Sequence, residues 1–106
     1  MSAVNDYSYA FGQDTVASGQ KSLAFGTNVS ALSNFSYAFG KNSSSEGESS
    51  RAIGENCKVV KSKHSIVVGN SNSIIASGTT ASGNFAGGLS NTIDVTNSNA
   101  SFVYGR

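Results

Sequence analysis

A five-residue segment that ends in glycine recurs along this chain at a nearly constant interval. Its five copies occupy residues 8–12, 22–26, 36–40, 50–54 and 65–69. Their glycines, followed by Gly83, are separated by 14, 14, 14, 15 and 14 residues. Such a repeat constrains the fold more than any other feature, because each repeat must form one structural unit that stacks on its neighbours.

Each copy alternates large and small residues, and a period of two is that of a β-strand rather than of a helix. Fourteen residues hold two short strands and two turns, so one repeat forms one coil. Coils stacked about 4.8 Å apart build two parallel sheets, back to back. The sequence therefore predicts an all-β, single-domain parallel β-roll, or β-solenoid, of about six 14-residue coils. Its length would be roughly 30 Å.

The small residues of the repeat indicate which side faces inward. With the glycine as position 6, position 4 is alanine in the first four copies and valine in the fifth. Positions 9 and 11 are also mostly small, so these columns suit the interior of a flat roll. Position 8 holds residues that favour turns, because their side chains bond the nearby backbone. These turn residues are Asp14, Asn28, Asn42, Asn56 and Ser71.

The end of the chain departs from this pattern. Gly83 keeps the 14-residue interval, which assigns Thr80 and Ser82 to positions 3 and 5 of a sixth coil. A last Phe-Val-Tyr-Gly segment resembles the repeat but falls out of phase with it. We therefore expect repeats over residues 1–91 and an atypical C-terminal cap or transition segment over 92–106, because terminal repeats of solenoids commonly deviate.

Positions 3 and 5 carry the large residues, which share one face of the strand. If alanine faces the interior, they form an outward apolar stripe that is too extensive for a soluble monomer. The natural cover is the same stripe on another copy, so we predict a homo-oligomer. The alternative is that the large residues fill the roll and the alanines point outward. The predicted interface residues are Tyr9, Phe11, Leu23, Phe25, Tyr37, Phe39, Arg51, Ile53, Ile66 and Val68.

The composition argues against several classes of function. Charged residues make up 12% of the chain and the formal net charge is +1, so no steering toward nucleic acid or an anionic membrane is expected. A single cysteine excludes an internal disulfide and a zinc cluster. The single histidine has no second histidine with which to hold a metal, and we expect no cofactor. No transmembrane helix is visible, so this segment is not expected to insert into a membrane.

The repeat resembles the head repeats of trimeric autotransporter adhesins, the YadA-like family. The segments that carry the resemblance are Asn-Phe-Ser-Tyr-Ala-Phe-Gly at 34–40, Ser-Ser-Arg-Ala-Ile-Gly at 49–54 and His-Ser-Ile-Val-Val-Gly at 64–69. The resemblance covers about residues 7–91 and implies a left-handed parallel β-roll that assembles as a homotrimer. This sequence departs from the family in its aromatic residues at positions 3 and 5, where the family favours valine and isoleucine.

The resemblance implies a non-enzymatic function in attachment. As part of a longer, outer-membrane-anchored chain, the trimeric head would be displayed on a bacterial cell surface. There it would bind a host extracellular matrix protein, a glycan, cells or other surfaces. The alternative is a trimeric phage or viral fibre that recognises a host receptor from the virion.

Three further features each allow a functional and a plain structural interpretation. Arg51 would bind an axial anion, or pair with Glu48 or Glu55, or else extend to solvent. Cys57 occupies an interior column, which favours an inert buried thiol over a reactive one. The only basic run is either a contact for a sulfated glycan or acidic matrix, or a solvated turn. It comprises Lys58, Lys61, Lys63 and His64.

Enzymatic functions have weak support in the sequence. Glu46 and Glu48 have the spacing of a carboxylate pair, but a solvated turn is the favoured interpretation because no supporting cleft is indicated. A polysaccharide depolymerase needs a larger chain to form a cleft. An ice-binding solenoid needs a regular threonine column, which this sequence lacks.

Overall fold

The computed structural model describes residues 2–77, 81–95 and 100–106, and its regular structure is entirely β. Most strands are short, and they alternate along the chain between a longer and a shorter type. They are β1 (Ser2–Ala3), β2 (Tyr9–Gln13), β3 (Val16–Ala17), β4 (Leu23–Thr27), β5 (Ser30–Ala31), β6 (Tyr37–Lys41), β7 (Ser44–Ser45), β8 (Arg51–Glu55), β9 (Lys58–Val60), β10 (Ile66–Asn70), β11 (Ser73–Ala76), β12 (Phe85–Leu89), β13 (Thr92–Val95) and β14 (Phe102–Gly105).

The strands form two parallel sheets of seven strands each. The even-numbered strands β2 to β14 make one sheet, and the odd-numbered strands β1 to β13 make the other. Each coil contributes one strand to each sheet, which confirms the parallel β-solenoid. The stack contains about seven coils, so the predicted number of six was too low. The Cα atoms extend over 31 × 26 × 15 Å, the dimensions of a short, flat rod.

A serine closes the turn that opens each of the first four repeats. Ser22 donates both its backbone N–H, at 3.2 Å, and its hydroxyl, at 2.6 Å, to the carbonyl of Gly19. Between them, Lys21 has a left-handed backbone with φ of 55°. Ser8, Ser36 and Ser50 close equivalent turns with the same pair of bonds. The serine of the repeat is therefore a structural residue of the corner.

The opposite corner confirms the predicted turn column. Its position 8 residues all have a left-handed backbone, with φ between 54° and 59° from Asp14 to Ser71. Each of the later ones also bonds the preceding coil, as Asn42 does by donating its N–H to the Thr27 carbonyl at 2.9 Å. Short polar side chains suit this position because they tolerate the left-handed region.

The glycine at position 6 is required by the coil that follows it. Gly40 has φ of +118°, and a Cβ there would lie 2.8 Å from the carbonyl carbon of Gly54 and closer still to its oxygen. The same contact would arise along the whole position 6 column, from Gly12 against Gly26 to Gly88 against Gly105. No side chain fits at this position, because the backbone of the next coil occupies the space.

The assignment of Gly83 to this column was wrong. Gly69 is in register with Gly88, 19 residues further on, and Gly88 is in register with Gly105. Gly83 lies in the serine corner instead, with φ of 69° and its N–H bonded to the Lys63 carbonyl at 2.9 Å. The 14-residue interval to Gly83 is coincidental, because register is set by pairing between backbones.

The corrected register changes the contents of the last coils. Positions 3 and 5 of the sixth coil are Phe85 and Gly87, not Thr80 and Ser82. Thr80 lies outside the described residues. The Phe-Val-Tyr-Gly segment, which was expected to be out of phase, is in register as β14. Thus β13 and β14 continue the two sheets into the segment 92–106. That this segment also acts as a cap stays a prediction.

The interior is lined by the predicted small residues. Ala24, Ala38 and Ala52 at position 4 are fully buried, as are Ala17 and Ala31 at position 11. The interior of the C-terminal coils is filled by larger side chains, namely Val59, Val67, Ile74 and Ile93. The alternative in which alanine faces outward is therefore excluded for the coils in which these residues lie.

Position 9 has a role that the small-residue pattern did not reveal. From Ser43 onward, its polar side chains donate hydrogen bonds to glycine carbonyls of the next coil. The Ser43 hydroxyl bonds Gly54 at 2.8 Å, and the Asn72 amide bonds Gly88 at 2.7 Å. The Thr15 hydroxyl, in the first coil, has no partner within the described part of the chain. These bonds matter because a buried carbonyl without a donor is costly.

Candidate functional surfaces

The large residues of positions 3 and 5 lie on the outer face of the even-numbered sheet, as predicted. Tyr9 is 63% exposed, Phe11 is 64% exposed and Phe25 is 50% exposed. Val68 is also exposed, whereas Leu23, Tyr37, Phe39, Ile53 and Ile66 are half-buried by their neighbours. Exposed apolar faces of this extent are typical of interaction surfaces, so this face is a candidate interface.

The corrected register extends this surface to the C-terminal end of the sheet. Phe102 is 70% exposed and Tyr104 is 75% exposed, and Phe85 stacks on Phe102 with ring centroids 5.0 Å apart. We define the aromatic stripe as the ten predicted residues together with Phe85, Phe102 and Tyr104. The sequence contained a signal for Phe85, since Phe85-Ala86-Gly87-Gly88 repeats the pattern large-Ala-x-Gly, and the segment Phe-Val-Tyr-Gly at 102–105 likewise resembles the repeat.

Ring stacking between coils makes the N-terminal part of the stripe continuous. Phe11 and Phe25 are stacked with centroids 5.2 Å apart and an interplanar angle of 8°. Phe39 follows one coil later, its ring tilted and 6.3 Å from Phe25. Offset and tilted arrangements at these distances are favourable for aromatic pairs. The stripe is therefore a preformed apolar surface of fixed shape.

The serine corner widens the stripe in the first coils. Tyr7 is 72% exposed and Phe35 is 48% exposed, and the Lys21 ammonium lies 6.0 Å and 5.6 Å from their ring centroids. These residues, at position 1, were not identified from the sequence because they fall outside the five-residue segment. They add apolar area to the edge of the sheet where each long strand begins.

Arg51 interrupts the stripe in the fourth coil. Its guanidinium lies over the ring of Tyr37, with Cζ 5.4 Å from the centroid, and the side chain is exposed. Among the described residues, no ion pair joins Arg51 to Glu48 or Glu55 within 4.0 Å. The carboxylate partner considered from the sequence is therefore not found within one chain.

The four basic residues do not converge on one pocket. Lys58 belongs to β9, and Lys61, Lys63 and His64 follow in an exposed turn around the buried Ser62. An acidic turn stacks directly beside them, since His64 donates its N–H to the Glu48 carbonyl at 2.9 Å. No pocket was detected in the part of the chain that the structure describes. Any ligand here would contact an open, mixed-charge surface.

Cys57 lies in the interior, as its column predicted. Its thiol is fully buried and donates to the Gly69 carbonyl at 3.2 Å. Burial raises the pKa of the Cys57 thiol, and a backbone hydrogen bond from Asn72 opposes this in part. The protonated thiol is a poor nucleophile, so the site favours a structural role.

Residues 2–77, 81–95 and 100–106 hold no group of three or more histidine, cysteine or acidic side chains placed to bind a metal. They also include no helix with the length and hydropathy needed to cross a membrane. The aromatic stripe and the basic turn are therefore the candidate functional surfaces of the described residues.

No protein-family model matches the chain, and no curated protein matches its sequence.

Proposed function

We propose that this chain is a non-enzymatic structural and binding module, one subunit of a homotrimeric β-solenoid head. The head would be displayed at a bacterial cell surface as part of a longer chain, and would attach to host matrix, cells or other surfaces. The observation that carries the proposal is the aromatic stripe, a continuous exposed apolar surface along one sheet. The threefold assembly and the left-handed coil rest on the resemblance of the repeats to adhesin heads.

Covering the stripe would supply the stabilisation that a thin roll lacks. Alanine and serine dominate the interior of the first three coils, so those coils bury little apolar area. In the same coils, Tyr9, Phe11 and Phe25 leave half or more of their surface in solvent. Burying one such side chain fully is worth about 1.5–3 kcal/mol. Association of three stripes would therefore give each subunit an apolar core between the chains.

The rest of the surface suits display and multivalent contact. The outer turns are rich in serine and asparagine, and a rigid rod of three chains presents every turn three times. Weak single contacts can then add up to firm attachment. The basic turn at Lys58, Lys61, Lys63 and His64 is the candidate contact for an acidic glycan or matrix protein. The alternative, a trimeric phage or viral fibre, would share this architecture, and genomic neighbours or flanking sequence would distinguish the two.

The mass of the native particle tests the assembly. We expect sedimentation or multi-angle light scattering at low micromolar concentration to give three times the 10.8 kDa of one chain. Two variants of the fifth coil form a matched pair, because Val68 on the stripe and Ile75 on the opposite sheet are both 38% exposed. Val68→Asp should dissociate the trimer, since it buries carboxylates in an apolar interface. Ile75→Asp should leave it intact. A folded wild-type monomer would contradict the proposed assembly.

Adhesion to surfaces coated with matrix protein or sulfated glycan tests the binding function. We expect the trimer to bind more tightly than the Val68→Asp variant, because three copies act together. Changing Lys58, Lys61 and Lys63 to alanine should weaken binding to the acidic surface and lower its dependence on salt. Unchanged binding would show that the basic turn is only a solvated corner.

A further inference from the structure

One coil of the aromatic stripe carries a charge at each end of its long strand. Arg51 begins β8 and Glu55 ends it, and both are exposed. Arg51 is the only cation at position 3 among the seven described strands of this sheet. Glu55 is likewise the only acid at position 7 in the six strands that reach that position. Position 7 comprises Gln13, Thr27, Lys41, Glu55, Asn70 and Leu89.

The two charges do not pair within one chain. Four residues of strand separate their Cα atoms by about 13 Å. The Arg51 guanidinium turns toward the Tyr37 ring instead, 5.4 Å from its centroid. Glu55 has a different neighbour in its own sheet, because it lies opposite Lys41 in the ladder between β6 and β8. A pair between Glu55 and Lys41 is therefore the alternative explanation for the acid.

We propose that Arg51 pairs with Glu55 of an adjacent subunit, and that this pair fixes the axial register of the three solenoids. The proposal rests on the trimer proposed above. In a cyclic assembly whose axis runs along the solenoid, equivalent coils lie at the same height. The interface is then heterologous, so one edge of the sheet on one subunit faces the opposite edge on the next. Arg51 at the start of β8 thereby faces Glu55 at its end.

The need for such a pair follows from the repeat itself. Apolar side chains recur in every coil, so sliding one subunit by a coil, about 4.8 Å, still matches apolar residues with apolar residues. A surface of this kind specifies register weakly. Sliding by one coil would place Arg51 against Lys41 or Asn70 and leave Glu55 without its partner. An unpaired charge in an interface is strongly unfavourable, so only the aligned arrangement is stable.

Charge reversal tests the pair. Light scattering over a dilution series would compare the wild-type chain with Arg51→Glu, Glu55→Arg and the double variant. We expect each single variant to raise the dissociation midpoint of the trimer by about tenfold or more, and the double variant to restore it. Lys41→Glu is the control for the pair within one chain, and it should leave the midpoint near that of the wild type.

Mixing the two single variants separates an intersubunit pair from any effect within a chain. The Arg51→Glu chain carries two acids and the Glu55→Arg chain carries two bases, so mixed trimers regain two of three pairs. We expect native mass spectrometry to show 2:1 and 1:2 trimers in preference to either homotrimer. Far-UV circular dichroism confirms folding. If reversal prevents folding, Arg51→Gln and Glu55→Gln serve instead, and their effects should be non-additive.

The outcomes distinguish the two proposals. A wild-type monomer or dimer would overturn both the trimer and the pair. A wild-type trimer whose single variants dissociate no more readily would overturn the pair alone. Failure of the double variant to recover, additive effects of the glutamine variants, or an absence of mixed trimers would also overturn the pair and leave the trimer standing.

Discussion

Replacing Gly40 with alanine should destabilise the protein strongly, and by more than the same change at Gly83. Both glycines have positive φ, at +118° and +69°. They differ in what surrounds the missing side chain. A Cβ on Gly40 would lie 2.8 Å from the carbonyl carbon of Gly54, whereas on Gly83 the nearest atom among the described residues is the backbone N of Ala100, 3.9 Å away.

The magnitudes follow from strain and lost hydrogen bonds. At Gly40, a φ that L-residues rarely adopt costs about 1–3 kcal/mol. Relieving the contact requires the fourth coil to move away, and losing two ladder bonds between β6 and β8 costs a further 1–3 kcal/mol or so. The sum is about 2–6 kcal/mol. At Gly83 the backbone is in the ordinary left-handed region, where alanine costs about 1–2 kcal/mol.

Thermal unfolding followed by circular dichroism measures the difference. One kcal/mol corresponds to about 4–8 °C for a domain of this size. A cost of about 2–6 kcal/mol at Gly40 should therefore lower Tm by about 8 °C at the least. Gly83→Ala, at about 1–2 kcal/mol, should lower it by one to two such increments. All samples need equal concentration, because assembly stabilises the folded chain. If Gly40→Ala melted with or above Gly83→Ala, the steric argument for the glycine column would fail.

Two further predictions concern buried groups. Ser22→Ala should cost about 0.5–1.5 kcal/mol in urea unfolding, because its turn loses the hydroxyl bond to Gly19 while the backbone bond remains. Ser30→Ala, a half-buried serine on β5 with no side-chain bond among the described residues, should change stability by less than about 0.5 kcal/mol, and equal effects would contradict the role of Ser22. Cys57 should react with a thiol reagent only as the chain unfolds, so rapid labelling of the native protein would exclude a buried thiol. Burial raises the pKa of the Cys57 thiol, so the protonated thiol contributes fully to stability at pH below its unfolded-state pKa. That contribution is lost as pH rises through the folded-state pKa, because the thiol of the unfolded chain ionises first.

Much of the surface could be predicted because side-chain direction follows from local alternation. In a strand, position 4 facing inward forces positions 3 and 5 outward. Ala38 is accordingly buried, while Tyr9 and Phe11 are exposed. Alternation within a strand could not predict which side chains of the turns lie beside the sheet. Tyr7 and Phe35 extend the stripe only because the turn places position 1 beside the sheet, which depends on the path of the whole coil.

The C-terminal coils show the limit of a period as a guide to structure. An insertion after β11 shifted the true column from Gly83 to Gly88, yet the spacing of the glycines gave no sign of it. The sequence contained a better signal, the Phe85-Ala86 dipeptide before Gly88, which matches the residues around the glycine as well as the glycine itself. Gly83 was assigned wrongly because any glycine at the right spacing continues the period. In each coil, however, only the glycine of the long strand lies against the glycine carbonyl of the next coil.

The sequence by itself determined the length of a coil, the two strands within it and which side chains face inward, because each depends on residues close together in the chain. The tertiary structure decided which segments stack on which, and therefore that Phe85, Phe102 and Tyr104 complete the aromatic stripe. It also decided that Ser43 and Asn72 bond glycine carbonyls of the next coil. These features depend on backbone hydrogen bonds and close contacts between coils, and such contacts exist only once the coils are stacked.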